Sequence, residues 1–132
     1  MRLILKDSLP FTNVQLRYHG AEIEIPDVLI DTGSASTILA AHLVAQAGIE
    51  PEMSDTLYTI GGVGGTEAVF SRRVDLLQVG PSTVADFEIE VGGMDYGFEI
   101  NGILGMDYML QTGMILNLHD LSLEFSERPR DQ

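Results

Sequence analysis

The apolar residues of this chain come in short runs, none longer than four or five residues, with glycine or proline between many of them. Such punctuation disfavours long helices, and a membrane-spanning helix, which needs about 20 apolar residues, has no place in it. Stretches such as FTNVQLRY (11–18) and VADFEIEV (84–91) tend to alternate apolar with polar positions, the pattern of a half-buried strand. The first of these, a turn at His19 and Gly20, and AEIEIPDVLID (21–31) predict a hairpin. Pro26 interrupts its second arm and implies an edge position or a bulge.

Further along, LAAHLVAQAG (39–48) predicts a helix stopped by Gly48, and MDYMLQ (106–111) a second one ending at Gly113. Two strands, TLYTI (56–60) and TEAVFSRRVDLLQVG (66–80), flank the glycine cluster GGVGG (61–65). A turn at Pro81 and Ser82, the segment NGILG (101–105) and a closing hairpin of MILNL and LSLEF around His119 and Asp120 complete the pattern. With 132 residues and no linker or long repeat, we expect one domain over residues 1–132, mainly β with one or two short helices.

Seven Lys and Arg against 20 Asp and Glu give a net charge of −13. Nucleic-acid binding is thereby disfavoured, because it relies on cations that neutralise phosphates. The one basic pair, Arg72 and Arg73, reads as a solvated stretch of strand. There is no cysteine, hence no disulfide frame, thiol nucleophile or Cys-bound zinc. His19, His42 and His119 lack metal-ligand spacing, and we expect neither a metal nor a cofactor. Without a signal-peptide pattern or a membrane span, a cytoplasmic setting is the default expectation. Met94, Met106, Met109 and Met114 are expected in the core or in contacts between subunits.

One ionisable residue stands out. Asp31 follows Val28, Leu29 and Ile30 directly, so a carboxylate sits at the end of an apolar strand. Asp-Thr-Gly forms a good turn with no function at all, since Asp readily bonds the backbone two residues on. The wider pattern goes further. LIDTGS (29–34), IGGVGG (60–65) and ILG (103–105) occur in an order and spacing that resemble the retropepsin-like aspartic proteases. The resemblance implies a closed or partly open β-barrel of the acid-protease type. It also implies a homodimer hydrolysing peptide or protein substrate, with Asp31 of each subunit as the catalytic pair. Two carboxylates about 3 Å apart share a proton, one acting as base and the other as acid toward a water molecule. No other aspartate in the chain is followed by Thr-Gly, so the second carboxylate has to come from a second copy.

In the same reading, Thr32 bonds across the two-fold axis, Gly33 permits the tight turn, and Ser34 bonds the outer carboxylate oxygen. Ile103 and Leu104 pack beneath the catalytic loop, and Gly105 lets the chain pass without a Cβ clash. Ile60, Gly61, Gly62, Val63, Gly64 and Gly65 form a flap over a substrate bound as an extended strand. RLILK (2–6) and LSLEF (121–125) are candidates for interfacial strands.

The sequence departs from the retroviral pattern, which has an acidic pair after Asp-Thr-Gly and an arginine after the later glycine: the corresponding stretches here are Ser34-Ala35-Ser36-Thr37 and Met106-Asp107-Tyr108. Both halves of a supporting ion pair are therefore missing, which resembles cellular and bacterial members more closely. The alternative reading is a catalytically silent dimeric module that holds peptides or assembles complexes on the same fold.

Overall fold

A computed structural model of the chain describes residues 1–62, 65–94 and 100–126. Strand β1 (Ile4–Lys6) pairs with β2 (Leu9–Tyr18), and β2 with β3 (Ala21–Ile30), both antiparallel. β4 (Ile38–Ala40) runs into helix α1 (Ala41–Val44) and a 3-10 turn at Ala45–Ala47. β5 (Tyr58–Gly62), β6 (Gly65–Val79) and β7 (Ser82–Gly92) are joined as antiparallel neighbours. β8 (Gly102–Leu104), α2 (Met106–Thr112), β9 (Ile115–Asn117) and β10 (Ser122–Glu124) follow.

Six strands close on themselves in the order β2, β3, β8, β4, β7, β6, because β6 returns to β2 through the pairs Gln15↔Gln78, Leu16↔Leu77 and Arg17↔Leu76. The fold is mainly β, a closed six-stranded barrel with two short helices, as the aspartic protease resemblance implies. Two of its pairings, β3 with β8 and β4 with β7, are parallel, so strands distant in sequence meet there. β1 and β5 lie outside the ring at the two edges of the sheet.

The first hairpin turns where predicted: His19 (φ 48°) and Gly20 (φ 87°) are both left-handed between the paired Tyr18 and Ala21. Two consecutive positive φ values match the right-handed twist of the flanking strands. Pro26 lies at a bulge rather than an edge. The register slips between Thr12 and Val14, opposite Pro26 and Asp27, and Asp27 takes φ 59°. The slip changes which residues face inward. Ile25 is buried before it and Val28 and Ile30 after it, so the strand keeps its apolar side on the core. Leu29 is left on the opposite side, against a second apolar cluster that includes Phe11, Ile38 and Ile103.

The predicted helix over 39–48 is shorter than expected. Ile38, Leu39 and Ala40 form a strand buried between β7 and β8, with Leu39 and Ala40 at 0% exposure, and only Ala41–Val44 is α-helical. Four-residue apolar spacing carried the prediction, but pairing on both sides overrides so short a helical signal. Gly48 does end the segment, with φ 89°. The turn expected at Pro81 and Ser82 lies one residue earlier, at Gly80 and Pro81, because Ser82 already pairs with Val79.

The chain ends are paired with each other. Leu3 donates its N–H to Leu121 O (3.1 Å) and Leu123 donates to Met1 O (2.7 Å). The terminal ammonium donates to Leu123 O (2.9 Å). Among the described residues, no helix is long and apolar enough to cross a membrane.

Candidate active site

Asp31 leaves the barrel where β3 ends, and the parallel ladder to β8 fixes its backbone. Leu29 pairs with Ile103 and Ile30 with Leu104, and Asp31 then donates its N–H to Leu104 O at 3.0 Å. The ILG element thus lies beside the LIDTGS element as a neighbouring strand. The side chains of Ile103 and Leu104 divide between the two sides: Leu104 belongs to the main core and Ile103 to the second cluster. Gly33 donates its N–H to Asp31 Oδ1 (2.8 Å) and Ser34 donates to Asp31 O (3.2 Å), so the Asx turn expected of Asp-Thr-Gly is present. A Cβ on Gly33 would lie 3.1 Å from Asp31 Oδ1, which explains the glycine by close approach. Asp31 is half-buried, whereas Thr32, Gly33 and Ala35 are exposed.

A second tie binds this loop to the segment after β8. Met106 donates its N–H to Ser34 O (2.8 Å) and Asp107 donates to Ala35 O (3.2 Å). A Cβ at position 105 would run into the Ser36 carbonyl and reach within 3.0 Å of Ser34 O, so the chain passes there only as Gly105. Thr37, fully buried, donates its hydroxyl to Asp107 Oδ1 (2.7 Å) and its N–H to Oδ2 (3.1 Å). The same hydroxyl accepts the N–H of Gly105 at 3.0 Å, and Tyr108 N–H also donates to Asp107 Oδ1 at 2.8 Å. Asp107 therefore receives three hydrogen bonds and locks the Asp31 loop to the start of α2.

This network is what the sequence reading missed. Thr37 and Asp107 lie within the two stretches where the retroviral ion pair is absent, and their side chains join the two loops by hydrogen bonds instead. A signal was available: a polar Thr just before the apolar run 38–41, and an acid opening a short helix whose first turn favours negative charge. Ser34 departs from expectation in a smaller way. Its hydroxyl donates to Ser36 O at 2.8 Å rather than to the Asp31 carboxylate.

The glycine cluster joins β5 to β6. Ile60 pairs with Glu67, Gly61 with Thr66 and Gly62 with Gly65, so a hairpin brings both arms together. Val63 and Gly64, the middle of the expected flap, lie outside the described residues. Below the hairpin, Arg72 corrects the expectation of a solvated basic pair. Its side chain is 11% exposed, donates to Asp55 Oδ2 (2.6 Å), pairs with Glu52 (3.1 Å) and lies over the Phe70 ring. Arg73 alone fits that expectation, at 57% exposure. The Glu52 amide, opposed by burial and reinforced by Arg72, holds the Asp55 carboxyl below its ordinary value. No cluster of metal-ligating side chains is found among the described residues.

A closed barrel that presents an Asp-Thr-Gly turn at a strand end, with an ILG strand paired beside it, is an arrangement consistent with the aspartic protease fold. The chain matches the aspartyl protease family model over residues 14–108, a span holding Asp31, the glycine cluster and Gly105, and it belongs to that family, in its retropepsin-like form. No curated protein matches the chain.

Proposed function

We propose that the protein is an aspartic endopeptidase active as a homodimer, with the two Asp31 carboxylates sharing a proton and activating water against a peptide carbonyl. The observation that carries this reading is the state of Asp31. Its backbone is fixed by Leu104, and its Oδ1 by Gly33. Oδ2 has no hydrogen-bond partner among the described residues and is left for a second carboxylate or for water. Thr32, exposed in the single chain, is free to bond across the axis. The substrate lies extended under the hairpin of β5 and β6, bonded through its backbone. After attack, the proton that water loses is held by one carboxylate and passes to the leaving amine, as a coupled pair allows.

The alternative of a silent peptide-binding module draws on the net charge of −13 and on the missing ion pair, and the structure bears on the second. The bonds from Thr37 to Asp107 tie the same two loops together, which answers the missing ion pair. Cleavage of an unstructured peptide library by wild type and by Asp31→Asn, from about pH 4 to 7, separates the two readings. Wild-type turnover that Asp31→Asn lacks is expected. Equal cleavage by both proteins, or none by either, refutes the proposal.

A further inference from the structure

We infer that Arg72 is a positioning residue for the peptide: its guanidinium holds the roots of both arms of the hairpin of β5 and β6, and so sets where that hairpin leaves the barrel. The inference rests on the peptidase reading above, in which the substrate is bonded under this hairpin, and adds a determinant of substrate affinity outside the Asp31 loop.

β6 changes partners along its length. Gly65 to Val69 pair with β5, whereas the residues from Phe70 onward pair with β7 in the barrel. The hairpin is therefore rooted between Val69 and Phe70, and Arg72 stands just inside that root. Its ladder partner Ile89 is buried, as are Phe70 and Val74, its neighbours on the same side of the strand. Alternation thus calls for an inward apolar side chain at position 72, and the chain places a nearly buried arginine there.

What this arginine holds is the other arm. Residues 50–57 lead into β5 without strand or helix of their own. One terminal nitrogen of Arg72 donates to Asp55 Oδ2 (2.6 Å) and to Glu50 O (3.3 Å), and the other pairs with Glu52 (3.1 Å). Asp55 closes the loop on itself, accepting the Glu52 N–H at 2.6 Å and returning its own to Glu52 O at 2.9 Å. Burial opposes the charge of Arg72, but its bonds with Asp55 and with Tyr18 at the end of β2 outweigh that and raise its pKa above the ordinary value. Apolar packing contributes little to the loop, since Met53 and Leu57 are both exposed. A buried ion pair is often no more stabilising than an apolar side chain of similar size. What directed bonds to three residues add is one fixed geometry for the arm, which a planar fork supplies and a greasy contact does not.

Steady-state cleavage of the peptide that wild type cleaves fastest in the library, well below Tm, tests this on Arg72→Met, Asp55→Asn, their double variant and Arg73→Gln. Arg72→Met keeps an inward apolar stem, and Arg73→Gln removes the same charge from the exposed side of the strand. We expect KM to rise about tenfold in Arg72→Met and about threefold or more in Asp55→Asn, with kcat within about twofold of wild type. The double variant should be no worse than Arg72→Met, because the two residues act as a unit, and Arg73→Gln should match wild type. In an Asp31→Asn background, which isolates binding from turnover, Arg72→Met should also weaken binding of the same peptide, labelled with fluorescein and followed by anisotropy. Circular dichroism confirms folding, and Asp55→Asn serves if Arg72→Met does not fold. An unchanged KM in the folded variants, or a fall in kcat at constant KM, overturns this inference and leaves the peptidase reading standing. A wild type that does not cleave, or cleaves no better than Asp31→Asn, overturns that reading and the inference with it.

Discussion

Replacing Thr37 by valine removes one hydroxyl of nearly equal volume from a fully buried position, and the structure assigns that hydroxyl two bonds. It donates to the Asp107 carboxylate at 2.7 Å, and a hydrogen bond to a charged acceptor contributes about 1.5–3 kcal/mol. It also accepts the Gly105 N–H, and leaving a buried donor unpaired costs about 1–3 kcal/mol. Asp107 keeps Thr37 N–H and Tyr108 N–H and is only half-buried, so water recovers part of the first loss. The expected destabilisation is therefore about 3 kcal/mol, toward the lower end of the sum. For a chain of this size that lowers Tm by roughly 9–15 °C. Urea unfolding followed by circular dichroism, at one fixed protein concentration because the proposed dimerisation would add to apparent stability, gives the number. Thr37→Ser is the control: it keeps the hydroxyl and loses one buried methyl, at about 1 kcal/mol. Peptide cleavage well below Tm should fall about tenfold or more in Thr37→Val, because the loop that aims Asp31 is loosened, and should be largely kept in Thr37→Ser. If valine and serine destabilise equally, or if valine costs less than about 1 kcal/mol, the hydroxyl is not the lock described here.

Two further outcomes follow from the same geometry. Gly105→Ala drives a Cβ into the Ser36 backbone carbonyl, which no rotamer relieves; we expect a loss of about 1–3 kcal/mol in urea unfolding, and more lost cleavage than in Thr37→Ser. A Gly105→Ala protein as stable and active as wild type contradicts the close passage. Asp55, whose folded pKa lies below its ordinary value, stabilises the fold above the unfolded value of about 3.9 and loses that contribution as pH falls through the folded one. The urea midpoints of wild type and Asp55→Asn should differ by a constant amount above about pH 5 and converge below about pH 4; a gap that stays constant throughout rules out Asp55 as a source of acid sensitivity.

Strands announce themselves through alternation and glycine turns, so the first hairpin, the long arms around the glycine cluster and the final hairpin were visible in the sequence. Asp31 was visible for the same local reason: an acid after three apolar residues with Thr-Gly behind it. What escaped was decided by partners far along the chain. Leu39 looks helical until β7 and β8 enclose it, and Arg72 looks solvated until Asp55 and Glu52, 17 and 20 positions earlier, fold beneath it. The bonds from Thr37 to Asp107 span 70 positions, and no local pattern contains them.

The position of Asp31 is set almost entirely by backbone geometry, and that division has a chemical consequence. Leu104 O holds its N–H, Ser34 N–H its carbonyl and Gly33 N–H one carboxylate oxygen, while Thr37 and Asp107 brace the loop from behind. No cation is among these partners. A fixed positive charge at the carboxylate would favour ionisation and oppose the sharing of a proton between two acids. Neutral N–H donors orient the group with far less electrostatic bias. By placing the charged Asp107 on Thr37 and on the amide of Tyr108, the fold ties the loop down and leaves the acid's second oxygen without a hydrogen-bond partner among the described residues, as the dimer proposed above requires.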